Sequence, residues 1–143
     1  MTHTDKGKYF EKHPQATKVD DGLKKEINKK VKDSNIACKA AEQIAQKSSK
    51  SMGEVGVAID MLNINIIRCQ LGLFGYDGKK KVAAAADVAP DYAAAITAAL
   101  VEGRLPCAAA WKIADEFQIK RMDVCAACEK MQIKIKPCQL GAF

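Results

Sequence analysis

Cys69-Gln70-Leu71-Gly72-Leu73-Phe74 and Cys138-Gln139-Leu140-Gly141-Ala142-Phe143 are one stretch written twice, 69 positions apart. Sliding the chain over itself by that offset aligns residues 19–74 with 88–143 without a gap, and sixteen of the 56 pairs are identical. The identities include Cys38/Cys107, Ala41/Ala110, Ile44/Ile113, Ala45/Ala114, Val55/Val124, Ala58/Ala127, Ile64/Ile133 and Ile66/Ile135. The chain reads as one unit duplicated, with residues 1–18 as a mobile basic arm and 75–87 as a linker or loop. Two small units of this kind gain by burying surface against one another, and the 143 residues are expected to form one body.

Within each copy the apolar spacing is helical three times and then changes. Leu23, Ile27 and Val31 form an i, i+4, i+8 stripe behind Asp20 and Asp21, acids that the positive end of a helix favours. The opposite face carries Lys24, Lys25, Lys29 and Lys30. The second copy matches with a helix from Pro90 through Tyr92, Ile96 and Leu100 to Gly103, where Ala93, Ala94, Ala98 and Ala99 replace those lysines. The same helix is therefore expected to be wet in one copy and covered in the other. A second helix is predicted over about 37–47 and 106–117, and a third over about 52–62 and 122–131. Ile64-Asn65-Ile66 and Ile133-Lys134-Ile135 then alternate as strands do, and Gly72 or Gly141 turns the chain. The two strands are expected to lie close, since each otherwise leaves an open edge. The class is mainly α: two duplicated units of three helices and a short strand, related by an approximate two-fold.

Three helices and a strand, with a tight connection between the second and third helices, resemble the helix-turn-helix family. The resemblance rests on Ile113-Ala114, Phe117, Ile119, Val124 and Ala127, which fall where that motif takes apolar or small residues. Gln118 stands where many members have glycine. Ile44-Ala45, Val55 and Ala58 carry it in the first copy. The strand and glycine-containing tail make each unit look like a winged helix with a reduced wing. The resemblance implies a third helix directed into the major groove, with Lys120, Arg121 and Lys130 on that surface in the second copy.

The net charge of +6 belongs to the first third: residues 1–50 hold twelve Lys/Arg against seven Asp/Glu, the remainder eleven against ten. Together with Lys79, Lys80 and Lys81 in the linker, this distribution makes duplex DNA the first partner expected. A protein partner docked on a pseudo-symmetric surface is the alternative, and a thiol or metal sensor the third reading. No catalytic set is evident, because His3 and His13 lie in the arm as surface residues and no phosphate loop or carboxylate cluster stands out. No enzyme activity and no cofactor are expected. The polar first 18 residues and the interrupted alanine run predict a cytoplasmic chain without membrane segments, and hence reduced thiols. Cys128 aligns with Ile59 and reads as core. Cys38, Cys69, Cys107 and Cys138 recur in both copies and read as packing. Were a metal bound, these four would be its ligands.

Overall fold

The computed structural model describes residues 18–77 and 80–143. Residues 1–17, including His3 and His13, lie outside the described residues, as does Lys79. The described chain is mainly helical, with six helices and one small two-stranded parallel sheet. Its elements are α1 (Asp21–Lys30), β1 (Asn35–Ala37), α2 (Cys38–Ser48), α3 (Met52–Met61), β2 (Asn65–Ile67), α4 (Pro90–Ala98), α5 (Cys107–Phe117) and α6 (Arg121–Met131). It divides into two compact units: residues up to Cys69 together with Gln139–Phe143, and Gln70–Cys138. Each unit thus contains the tail that ends the other copy.

In the first unit, α1 starts where Asp20 Oδ2 accepts from the Leu23 N–H at 2.9 Å, satisfying one of the donors a helix start leaves over. It buries Leu23 and Ile27 and leaves its four lysines exposed. The chain then reverses in two residues, Asp33 and Ser34, both left-handed, between a mutually bonded Lys32 and Asn35. That reversal feeds β1, which pairs in parallel with β2 in the register Asn35↔Asn65, Ile36↔Ile66 and Ala37↔Ile67. Parallel strands need a long crossover, and α2 with α3 supplies it. Ser51 and Glu54 close a reciprocal cap on α3, with bonds of 2.9 and 3.0 Å.

The second unit repeats the three helices as α4, α5 and α6, with an isolated bridge in place of the sheet. Glu102 and Gly103 make the left-handed reversal between Val101 and Arg104. Leu105 bridges Ile135 in parallel, the Leu105 N–H donating to the Lys134 carbonyl at 3.0 Å. The reversal is also why α4 ends at Ala98 and does not run to Gly103: two consecutive positive-φ residues cannot continue a right-handed helix.

Two further expectations are corrected. Ile133-Lys134-Ile135, expected as a strand, forms none: Ile135 makes a single bridge to Leu105, whereas β2 pairs along its length with β1 ahead of the second helix. Nor is the alanine face of α4 covered throughout: Ala94 and Ala98 are exposed, and Ile96 is the helix's buried residue. Alanine serves helix formation as well as burial, so its presence did not require a cover.

Candidate nucleic-acid interface

α2 and α3 are joined by residues 49–51, and α5 and α6 by residues 118–120. The first residue of each connection is left-handed: Ser49 with φ 54° and ψ 39°, Gln118 with φ 54° and ψ 46°. The next N–H folds back onto the helix in both cases, Lys50 to the Ala45 carbonyl and Ile119 to the Ala114 carbonyl, each at 3.0 Å. This closes the helix end without glycine. Ala45 and Ala114 are buried, as are Val55, Ala58, Val124 and Ala127 on the third helices.

The cationic residues singled out from sequence fall into two sets. In the first unit, Lys24, Lys25, Lys29 and Lys30 share the solvated face of α1. Lys29 is engaged with Glu26 at 3.1 Å, and Lys47 reaches the other oxygen of the same carboxylate at 3.1 Å. These two ammonium groups hold the Glu26 carboxyl below its ordinary pKa. Lys24, Lys25 and Lys30 have no ion pair among the described residues.

In the second unit the cations are less free. Lys80 pairs with Glu129 at 2.6 Å, and Lys81 lies over the Tyr76 ring, 5.1 Å from its centre. The Arg121 guanidinium stacks 3.7 Å from the centre of the Trp111 ring, and its Nη1 donates to Gln70 Oε1 at 2.8 Å. Gln70 thus accepts from a side chain 51 residues away, a role beyond the backbone satisfaction its place at the turn suggests. Lys120 and Lys130 remain exposed at the two ends of α6. The Lys120 N–H donates to Asp123 Oδ2 at 3.3 Å, which ties the helix start, and the lysine side chain has no ion pair among the described residues.

Sequence reasoning missed Trp111 and the burial of Asp60, which is 2% exposed. Only the repeat hinted at the first, since Trp111 aligns with Glu42 and breaks the pattern.

The six cysteines form no disulfide, and all are buried but Cys138, which is half-buried. Burial first, then the nearby Glu129 carboxylate, pushes the Cys128 thiol up to about 11. Among the described residues no three His, Cys, Asp or Glu side chains are grouped as metal ligands. The Tyr92 hydroxyl and the Trp111 indole N–H are buried without a hydrogen-bond partner among the described residues. Burial is also the chief reason the Tyr92 phenol is pushed up to about 12, with Cys128, Asp123 and Cys125 adding to it.

No protein-family model matches the chain, and no curated protein or solved structure matches it. No described helix is long and apolar enough to cross a membrane.

Proposed function

We propose that the protein is a small duplex-DNA-binding regulator built from two duplicated helix-turn-helix units, winged-helix-like with the wing reduced to a tail and related by an approximate two-fold. The observation that carries this reading is the pair of helix–left-handed turn–helix connections, set at the same 69-residue offset as the sequence repeat. In the helix-turn-helix mode the third helix enters the major groove N-terminus first. α6 is the better reader of the two, offering the exposed Lys120 at its start. The lysine face of α1 supplies sequence-independent attraction to phosphate.

A protein-docking role is the second reading, favoured by α3: its sequence MGEVGVAIDM contains no basic residue, and Glu54 is exposed in its first turn. Electrophoretic retardation of random duplex DNA at low and at physiological salt separates the two. The DNA reading expects retardation that weakens as salt rises, and the docking reading expects none.

A further inference from the structure

The second unit contains an open cleft of about 530 Å³, a volume within the range of small-ligand sites. Its lining is of two kinds. Tyr92 and Phe117 provide an aromatic wall, their ring centres 5.2 Å apart and their planes inclined at 48°, with Ala126 beside them. Asp87, Asp91 and Asp123 stand around it, all exposed, and among the described residues no Lys, Arg or His lines the cleft. Carboxylates and aromatic faces both attract positive charge, and the apolar wall asks for hydrocarbon. A bare metal ion is a poor guest, because these carboxylates do not converge as ligands do. The three carboxylates repel phosphate, so an anion is a poor guest for the cleft as well.

Two of the acids also have local tasks. Asp123 accepts from the Lys120 N–H and Asp91 Oδ1 from the Tyr92 N–H at 2.9 Å, but each carboxylate keeps an oxygen to spare. Asp87 lies outside the helices and serves neither helix start. The repeat gives an internal control: the first copy has Lys18, Gly22, Leu23 and Ser48 where the second has Asp87, Asp91, Tyr92 and Phe117. The fold does not demand this combination.

We propose that the cleft binds an organic cation, an ammonium or quaternary amine on a small apolar body. The body packs on Tyr92 and Phe117, and the charge sits among the three carboxylates. The test is a ¹H–¹⁵N NMR titration with benzyltrimethylammonium chloride, set against phenylacetate and benzyl alcohol at matched ionic strength. The cation should give saturable shifts at the Tyr92, Phe117, Asp123 and Ala126 amides, with the two controls weaker. Asp87→Asn, outside every helix, should weaken binding about two- to five-fold with the rest of the spectrum retained. Phe117→Leu should weaken it as well. Equal binding of phenylacetate, no saturable shift with the cation, or indifference to both substitutions would overturn the proposal. So would shifts that depend on protein concentration alone, which would assign the cleft to a second copy. Binding of a lysine–leucine peptide where the small cation fails would overturn it in favour of a protein partner.

Discussion

Gly53 and Gly56 lie three residues apart on α3, and alanine should act on them with opposite sign. In a helix interior, glycine is about 1 kcal/mol less favourable than alanine, because it gives up more backbone freedom. Gly53 is exposed, and a methyl built there meets only Ser51 Oγ, at 3.8 Å. Gly53→Ala should therefore stabilise by roughly 0.5–1 kcal/mol. At Gly56 the methyl would fall inside contact distance of the Leu140 carbonyl oxygen, 2.7 Å from its carbon and 2.9 Å from Leu140 Cα. These are backbone atoms that cannot rotate aside, so the tail Gln139–Phe143 must shift. Overpacking of this kind costs about 1–3 kcal/mol. Lifting Leu140, which is 2% exposed, draws on the same reserve of buried apolar area. After the gain in helix propensity, Gly56→Ala should destabilise by about 1–2 kcal/mol. The two substitutions should then differ by roughly 2 kcal/mol in urea titrations followed by far-ultraviolet circular dichroism, read as midpoints at equal slope. Deleting Gln139–Phe143 should remove the difference, because it removes the obstacle. If Gly56→Ala stabilises the intact chain as much as Gly53→Ala does, the tail does not lie on α3 and the composition of the first unit is wrong.

Arg121→Ala should lower stability by about 1 kcal/mol through loss of the stack on Trp111, and should shift the emission of the chain's single tryptophan; unchanged emission would contradict the stacking. Stability should fall as pH rises from about 9 through about 11, because the Cys128 thiol is held neutral in the folded state while its unfolded counterpart ionises near 9. Tyr92 extends the fall from 10 to about 12, and alkaline denaturation of Cys128→Ala should start from a shallower slope than wild type. Cys128, 1% exposed, should react with a thiol reagent far more slowly than Cys138 under native conditions. Elemental analysis of the purified protein should find no stoichiometric metal.

The repeat made much of the fold legible before any coordinates. The 69-residue offset marks where helices recur, and the i, i+3, i+4 stripes place α2, α3, α5 and α6 to within a residue or two. β1 was hidden because Asn35-Ile36-Ala37 is too short to carry a period of its own and becomes a strand only by pairing with residues 30 positions on. The end of α4 was hidden in backbone angles at Glu102 and Gly103, which the apolar stripe through Leu100 does not report. Of the candidate interface, the α1 lysines stand on the solvated face that their spacing implies. The fate of Arg121 depends on Trp111 and on Gln70, 51 residues away, and charge pattern alone gives no sign of either. Gly56 could be recognised as a close approach only with Leu140 in view, since its partner in the repeat, Cys125, tolerates a side chain.

The salt dependence of duplex binding tests the proposed function most directly. A protein that neutralises roughly four or five phosphates loses affinity with a log–log slope near about −4. Replacing Lys24, Lys25, Lys29 and Lys30 together by alanine, as the second copy already does at the matching positions, should flatten that slope without unfolding the protein. Most of the change should come from Lys24, Lys25 and Lys30, because Lys29 already shares Glu26 with Lys47. Salt-dependent retardation that the four substitutions flatten is the result predicted; no retardation of any duplex by the wild-type protein at low ionic strength would contradict it and leave the protein-docking role in its place.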